Sequence, residues 1–186
     1  MVNENQGRLL IISGPSGSGK NTVFDALAER DPEIGQTVSV TTRKPRDGEK
    51  DGVDYYFISE SEFVEKINNN EFVEYVHYAT SYYGTLRCEI ERVLSIYKKV
   101  ALVIEVNGAL NIKKVFPDAI SVFLMPPSKE VLVSRINGRQ AMNEDELQKR
   151  MIIAEEEMQM RSHYDYVVVN DVLETAVDEV YKIINS

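Results

Sequence analysis

The sequence predicts an α/β fold in which helices cover both faces of a parallel sheet. Short apolar runs of strand length alternate with segments of helical length along most of the chain. A glycine-rich loop, GPSGSGK (14–20), follows the first apolar run and precedes the first helical segment. Two stretches, at about 36–86 and about 128–157, break this alternation and predict additions to the sheet core.

Four runs are predicted to be buried parallel strands, because each is short and mostly apolar. They are RLLIIS (8–13), VALVIEV (100–106), AISVFLM (119–125) and YDYVVV (164–169). A helical segment follows each of them, beginning with NTVFDALAER after the glycine-rich loop. In the last helical segment, Asp171 and Glu174 form a capping-box pattern. Its predicted apolar face consists of Leu173, Ala176, Val177, Val180, Ile183 and Ile184.

The stretch from about 36 to 86 is aromatic and alternates in polarity, as in DYYFIS, EFVEYVHY and SYYGTLR. This pattern predicts a small separate sheet. Between its strands, SESEFVEKI predicts a short helix capped by Ser59 and Glu62.

The stretch from about 128 to 157 carries Arg135, Arg139 and Arg150 around the loop NGRQAMNED. A helix is predicted to follow, with an inward face of Leu147, Met151, Ala154 and Met158. A loop with arginines between helices has the composition of a mobile lid. A surface helix pair with solvated arginines is the alternative.

Length and composition predict one compact domain of 186 residues, with 43% hydrophobic and 27% charged residues. No apolar run is long enough to span a bilayer, no signal sequence opens the chain, and Cys88 is the single cysteine. These features favour a reducing cytoplasm. The formal net charge of −9 argues against a nucleic-acid partner. A basic turn, TTRKPRDGEK (41–50), offers local positive charge for a small anion.

The loop GPSGSGK has the spacing of a phosphate-binding loop. Its glycines let backbone N–H groups approach a phosphate, the following helix adds its positive dipole end, and Lys20 adds a full charge. Ser or Thr normally follows this lysine, and its hydroxyl binds the magnesium ion of the nucleotide. Asn21 stands there instead, so Thr22 is the expected source of the hydroxyl.

Several motifs together resemble those of the guanylate kinases, in order and spacing, from Arg8 to about Tyr181. They are GPSGSGK, TTRKPRDGEKDGVDYYF, NEFVEYV, SYYGT, FPDAISVFLMPPS, INGR and YDYVVVND. The resemblance implies a P-loop NTPase-type core at about 1–35, 87–127 and 158–186. It also implies a GMP-binding subdomain at about 36–86 and a helical lid at about 128–157. The implied reaction transfers the γ-phosphoryl group of ATP, as its Mg²⁺ complex, to GMP or dGMP.

The same resemblance implies roles for particular residues. Lys20, Arg139 and Arg150 would supply positive charge during phosphoryl transfer. Arg43, Arg46, Tyr55 and Tyr83 would hold the GMP phosphate, and Glu74, Ser39, Thr85 and Glu105 would contact the guanosine. ATP would bind to Gly14, Pro15, Ser16, Gly17, Ser18, Gly19, Lys20, Asn21, Thr22 and Asn170, with Asn170 near the adenine.

Three departures from the family pattern accompany the resemblance. Asn21 replaces the usual residue after the lysine. The family's EIDVQGA reads VIEVNGA here, so Glu105 replaces an aspartate and Val103 replaces a carboxylate. In the lid, GRGT reads GRQA, with Gln140 after Arg139.

Two alternatives to a guanylate kinase stay open at this point. One is a catalytically silent module of the same fold that binds phosphopeptides, and the other is a P-loop kinase acting on a different acceptor. Retention of Lys20, Arg139 and Arg150 argues against the first, and the complete set of predicted GMP ligands argues against the second. The expected partners are ATP and GMP, with no nucleic acid and no membrane, in a monomer or a homodimer.

Overall fold

The computed structural model of the chain describes residues 8–78, 80–138 and 144–186. Within these ranges the chain forms two sheets and seven α-helices. The strands are β1 (Arg8–Ser13), β2 (Ile34–Gln36), β3 (Val40–Thr41), β4 (Tyr56–Phe57), β5 (Phe72–Tyr78), β6 (Ser81–Leu86), β7 (Lys99–Val103), β8 (Ile120–Met125) and β9 (Tyr166–Val169). The helices are α1 (Lys20–Arg30), α2 (Glu60–Asn68), α3 (Arg87–Leu94), α4 (Val106–Val115), α5 (Lys129–Asn137), α6 (Glu144–Gln159) and α7 (Leu173–Asn185).

The main sheet has five parallel strands in the order β2-β7-β1-β8-β9. Its central strand, β1, is apolar on both faces because helices cover both. All four predicted strands are present in it, but the prediction that the last one is buried is wrong, because β9 is an edge strand in which only Val168 is buried. β7 ends at Val103, three residues earlier than predicted, and Glu105 is the N-cap of α4. This early end brings Glu105 to the edge of the sheet at which the glycine-rich loop also lies.

Two apolar layers enclose the main sheet. The layer on one face contains Val23 and Leu27 of α1 with Val177 and Val180 of α7, and the other face is covered by α3 and α4. The predicted capping box at the start of α7 is wrong. The helix begins at Leu173, its N-cap is Val172, and no side chain bonds to the cap. Asp171 therefore lies one position too early to cap the helix.

The predicted apolar face of α7 is correct except at its first residue. Ala176, Val177, Val180 and Ile184 are buried and Ile183 packs against the same layer. Leu173, in the first turn of α7, is 36% exposed.

The small sheet has four strands in the order β4-β3-β6-β5 and is mixed, as the sequence predicts. Helix α2 packs on it through Phe63, which is fully buried and stacks on Phe72 with ring centroids 4.3 Å apart. The predicted capping box is present. The Ser59 hydroxyl accepts from the Glu62 amide, and the Glu62 carboxylate accepts from the Ser59 amide.

Helices α5 and α6 form a further apolar cluster at the edge of the main sheet. Its buried members are Leu132, Ile136, Ala154 and Met158, with Leu147 and Met151 packed against them. The predicted inward face of α6 is therefore confirmed, whereas the lid movement of this segment remains a prediction. Arg139 and Gln140 lie outside the described residues. No helix in the described ranges is both long and apolar enough to cross a membrane.

We expect Phe63→Ala to destabilise the protein by about 3–5 kcal/mol, because it removes a fully buried ring between two stacked aromatic residues. Urea unfolding measures the change. The matched control is Val64→Ala at the neighbouring exposed position, for which we expect less than about 1 kcal/mol. Equal losses in the two variants would contradict the packing described for the small sheet.

Candidate active site

A cleft lies between the main sheet and the small sheet, at the carboxyl ends of β1 and β7. Thirteen of the residues singled out from the sequence line it: Gly14, Ser16, Gly17, Gly19, Lys20, Asn21, Ser39, Arg43, Arg46, Tyr55, Glu74, Tyr83 and Glu105. In open parallel sheets, ligands bind beyond the carboxyl ends of the strands. The residues therefore converge at the edge where this architecture places a ligand.

The glycine-rich loop connects β1 to α1 and depends on glycine at specific positions. Gly14 and Gly19 have φ values of +146° and +89°, which disfavour other residues. A Cβ atom on Gly14 would lie 2.4 Å from the Leu124 carbonyl oxygen, and one on Gly19 would lie 2.4 Å from Asn170 Nδ2. The loop is thus held tightly against β8 and the segment after β9.

Lys20 is the first residue of α1, and its ammonium group points back over the loop. Lys20 Nζ donates to the carbonyl oxygens of Gly14 (2.7 Å) and Pro15 (3.1 Å). Asn21 and Thr22 follow on the exposed side of the first turn. The arrangement combines a helix N-terminus with a cation, which is the chemistry that binds a phosphate group.

A second recess lies on the other side of the loop. It is lined by Gly17, Gly19, Thr22, Arg135, Gly138, Asn170, Asp171 and Leu173. The Asn170 amide donates to the Ser18 carbonyl oxygen (2.8 Å) and is 5% exposed, so it braces the loop. Arg135 donates to the Asn170 carbonyl oxygen (3.1 Å), while its Nη1 atom is buried without a partner among the described residues.

Arg43 and Arg46 are both held by a residue that the sequence analysis did not single out, Glu49. Arg43 Nη1 and Nη2 donate to the two Glu49 oxygens at 2.7 and 2.9 Å, and the Arg46 amide donates to Glu49 at 2.8 Å. Hydrogen bonds from Arg43 hold the pKa of Glu49 below its ordinary value and raise the pKa of Arg43. Glu49 thus fixes the side chain of one arginine and the backbone of the other.

The aromatic wall beside these arginines consists of Tyr55 and Tyr83, whose ring centroids lie 6.0 Å apart. The Arg43 guanidinium carbon lies 5.1 Å from the Tyr55 centroid, a distance at which cation–π attraction contributes. Arg43 Nε is buried without a hydrogen-bond partner in the described ranges. This pocket combines guanidinium and phenol donors of the kind that binds a phosphate dianion.

Glu74 lies on β5 at a point where the pairing with β6 is irregular. Phe72 pairs with Leu86 and Glu74 with Thr85, so Val73 is an extra residue in a bulge. Bulges re-aim side chains next to functional sites. Here Glu74 is 6% exposed, and its Oε1 atom accepts from the Thr85 hydroxyl at 2.9 Å. Its Oε2 atom is buried without a hydrogen-bond partner in the described chain.

The helix that packs behind Glu74 leaves room for the carboxylate. A Cβ atom on Gly108 of α4 would lie 3.0 Å from Glu74 Oε2. The Thr85 hydroxyl has one proton, which it donates to Glu74 in this structure. Thr85 therefore orients the Glu74 carboxylate.

Burial raises the pKa of three carboxyl groups in the cleft. The pKa values of Glu74 and Glu105 rise to about 7, and the Glu74 charge adds to the effect of burial on Glu105. Burial also raises the pKa of Glu157 on α6, while the Lys20 charge and the Ser16 amide oppose that rise. Burial and the charges of Glu157 and Glu105 raise the pKa of Tyr78 to about 12. Perturbed carboxyl groups in a cleft are typical of functional sites.

The remaining predicted residues lie away from the cleft lining. Thr22 and Asn170 line the second recess. Ser18 in the glycine-rich loop and Thr85 on β6 are buried, and Arg150 is half-buried on α6. Pro15 contributes its carbonyl oxygen to Lys20. The sequence analysis did not find Glu49, Tyr78 and Glu157, which also line the cleft. For Glu49 the available signal was its place within the basic turn TTRKPRDGEK.

A parallel α/β sheet whose central strand runs into a glycine-rich loop, with a lysine at the start of the next helix, defines a nucleotide-binding α/β protein. Comparison with known proteins agrees. The family model described as "Guanylate kinase" matches residues 6–186. A guanylate kinase of Halalkalibacterium halodurans is 43% identical over 185 residues, covering 100% of this chain and 91% of the relative. One of Bacillus cereus is 45% identical over 180 residues, covering 96% and 88%.

Solved structures give the same result. The crystal structure of guanylate kinase from Anaplasma phagocytophilum has a TM-score of 0.79 and 31% identity, covering 98% of this chain and 86% of that one. A shikimate kinase from Bacteroides thetaiotaomicron, with a TM-score of 0.54 and 18% identity, shares the fold alone. The chain belongs to the guanylate kinase family.

We expect Glu74→Gln to gain stability relative to the wild type as pH rises. A carboxyl group with a folded pKa of about 7 and an ordinary value of 4.5 contributes stability below pH 4.5 that is lost as pH rises through 7. Glutamine does not ionise, so the unfolding free energy of the variant does not fall for this reason as pH rises. The difference in unfolding free energy between variant and wild type should grow by on the order of 3 kcal/mol between pH 5 and pH 8.

Chemical denaturation at both pH values measures this difference. The control is Glu65→Gln, at an exposed position of α2, which should show the same pH dependence as the wild type. A difference between Glu74→Gln and the wild type that stays constant or shrinks as pH rises would show that Glu74 is ionised in the folded protein at pH 5.

Proposed function

We propose that this chain is an ATP:GMP phosphotransferase, which transfers the γ-phosphoryl group of Mg·ATP to GMP and releases ADP and GDP. The observation that carries the proposal is the Glu74 carboxylate. It is 6% exposed and faces the cleft that also contains the glycine-rich loop, and its Oε2 atom lacks a partner within the described residues. A buried acceptor of this kind needs a ligand with hydrogen-bond donors.

Guanine offers such donors side by side, at its N1–H and its exocyclic amine. The two oxygens of Glu74 accept this pair, with the Thr85 hydroxyl holding the carboxylate in orientation. Adenine lacks the N1–H donor and would leave Glu74 buried and unpaired, which is costly. Ser39 lines the cleft close to this position and supplies a hydroxyl for guanine O6. Glu105, also in the cleft, is the residue that we assign to the remaining guanosine contacts.

The GMP phosphate would bind to Arg43, Arg46, Tyr55 and Tyr83. Support comes from the clamp by Glu49, which holds Arg43 against the Tyr55 ring before any ligand arrives. A guanidinium group that is already oriented loses less conformational entropy when it binds a phosphate. Buried Arg43 Nε has no partner in the described part of the chain and is a donor available to the phosphate.

On the donor side, the loop 14–22 would bind the ATP phosphates, and the recess with Asn170 would receive the adenine. Lys20 and Arg150 would then place positive charge around the transferred group, which is the main requirement of phosphoryl transfer. Arg139, outside the described residues, is assigned the same role. These side chains orient the two substrates in line and help to exclude water.

Mg²⁺ bound with ATP would neutralise charge on the phosphates. Thr22 is the residue that we assign to the ion, because its hydroxyl offers an oxygen ligand of the kind that Mg²⁺ prefers. No cluster of three His, Cys, Asp or Glu side chains suited to a metal occurs in the described ranges.

The silent phosphopeptide-binding alternative has no observation in its favour, since the loop, Lys20 and the Glu74 site are all retained. We further propose that the enzyme works in the cytoplasm without nucleic-acid or membrane partners. The exposed thiol of Cys88 suits a reducing compartment, and the substrates are small nucleotides.

The direct test is a coupled assay of ADP release with GMP, dGMP, AMP, IMP, CMP or UMP as acceptor. We expect turnover with GMP and dGMP and little with the other four. Equal turnover with AMP would contradict the recognition by Glu74. Tight GMP binding without turnover would instead support the silent module.

We expect Glu74→Gln to raise the KM for GMP by roughly 10- to 150-fold, the equivalent of 1.5–3 kcal/mol for a lost hydrogen-bond partner of a charged group. The amide keeps one acceptor oxygen and presents a mismatched donor to guanine. The KM for ATP should change by less than about threefold. Steady-state kinetics with each substrate varied in turn measures both, with Glu65→Gln as control. An unchanged KM for GMP would show that Glu74 does not bind the guanine base.

The loop gives a separate prediction about Asn21. We expect Asn21→Ala to lower kcat/KM for Mg·ATP by less than about tenfold, because the amide is exposed and carries no charge. Thr22→Ala should cost more, and Lys20→Ala should cost most, roughly 10²–10³ or beyond. Kinetics on the three purified variants decides the order. If Asn21→Ala is as damaging as Lys20→Ala, Asn21 is itself a ligand of the phosphate or the metal.

A further inference from the structure

The strand beside the glycine-rich loop ends in an unusual residue. β7 runs parallel to β1 with Ile12 opposite Val103, so Val103 ends the neighbouring strand just where β1 enters the loop. In P-loop NTPases an acidic residue that follows this neighbouring strand helps to hold the Mg²⁺ of the nucleotide. Val103 lines the cleft but offers no oxygen. The carboxylate of the family pattern is therefore missing at this position, and the next acidic residue, Glu105, is the N-cap of α4.

Another carboxylate approaches the same loop from a different element. Glu157 lies near the end of α6, is 8% exposed and lines the same cleft. Burial raises the pKa of its carboxyl group, and the Lys20 charge and the Ser16 amide, both of the glycine-rich loop, oppose that rise. Its Oε2 atom is buried and has no hydrogen-bond partner in the ranges that the structure describes. A buried carboxylate oxygen without a partner indicates that a ligand supplies the hydrogen-bond donor.

The other carboxylates of the cleft have different neighbours. Glu74 is bound to Thr85, Glu49 is bound to Arg43, and Asp54 accepts from the Lys50 amide. Among charged groups, Glu74 acts more strongly than Lys20 on the pKa of Glu105, whereas Lys20 is the charged group that acts on the pKa of Glu157.

We propose that Glu157 replaces the carboxylate missing at Val103 and accepts a hydrogen bond from a water molecule of the Mg²⁺ bound with ATP. This inference rests on the proposed function, in which ATP is the donor and carries Mg²⁺. Mg²⁺ in nucleotide sites keeps several of its waters, and carboxylates around it orient those waters. Glu157 is thus a positioning residue, which acts on the metal through water.

The proposal predicts an effect whose sign depends on the metal. Without Mg²⁺, the Glu157 charge repels the ATP phosphates, so Glu157→Gln should bind metal-free ATP as tightly as the wild type or more tightly. With Mg²⁺, the variant loses the acceptor for the metal-bound water and should bind ATP about 10- to 100-fold more weakly than the wild type. A purely structural role would weaken both kinds of binding alike.

Isothermal titration calorimetry of ATP, in excess EDTA and in excess Mg²⁺, measures both affinities without any turnover. The matched control is Glu156→Gln, the exposed neighbour on the same helix, which should keep the wild-type ratio of the two affinities. Equal weakening by Glu157→Gln in EDTA and in Mg²⁺, or no change in either, overturns the proposal. A wild-type affinity that does not respond to Mg²⁺ instead contradicts the proposed function.

A rescue experiment tests the replacement itself. In the presence of Mg²⁺, the double variant Val103→Asp/Glu157→Gln should bind ATP at least about tenfold more tightly than Glu157→Gln alone, because it has a carboxylate at the strand end again. Val103→Asp alone should increase the Mg²⁺ dependence of ATP binding, which keeps the idea testable even if Glu157→Gln does not fold. Failure of Val103→Asp to raise the Mg²⁺ dependence in either background overturns the proposal.

Discussion

The cleft is organised around one costly constraint, a buried acidic group that is incompletely hydrogen-bonded before its ligand arrives. Glu74 is buried, one of its oxygens is bound to Thr85, and the other has no partner in the described chain. The bulge at Val73 aims this side chain inward, and Gly108 leaves space beside it. A well-packed apolar residue there would make the protein more stable. In the proposed function this unsatisfied acceptor is the basis of guanine selectivity, because a ligand with paired donors satisfies it.

The rest of the fold brings the glycine-rich loop and the Glu74 site together in one cleft. The parallel main sheet directs the ends of β1 and β7 toward one edge, and there the glycine-rich loop and Glu105 meet. The small sheet adds Glu74, Arg43 and Tyr55 from the opposite side of the cleft. Helix α6 contributes Glu157 and Arg150, which lie seven residues apart and so on the same side of the helix. In the proposed function, the donor and acceptor phosphates approach each other within this cleft.

The sequence predicted those parts of the fold and site that depend on local patterns. The glycine-rich loop is recognisable because Gly14, Gly19 and Lys20 satisfy local backbone and charge requirements within seven residues. The Ser59–Glu62 cap is also local, and it is present. The cap predicted at Asp171 failed because the neighbouring Asn170 is fixed by Ser18 and Met125, and α7 begins only after Val172. Glu157 and the role of Thr85 could not be predicted, since they depend on contacts between segments far apart in the chain.

The most direct test of the account is the number of protons released when GMP binds. Calorimetry of GMP binding at pH 7, repeated in buffers of different ionisation enthalpy, gives this number. With a pKa of about 7 in the free protein, Glu74 must lose close to half a proton at pH 7 to accept from guanine. The GMP phosphate, with a second pKa near 6, adds only about 0.1. We predict a release of about half a proton at pH 7 that disappears by pH 9; no release beyond that of the phosphate, or an uptake of protons, would contradict the central role of Glu74.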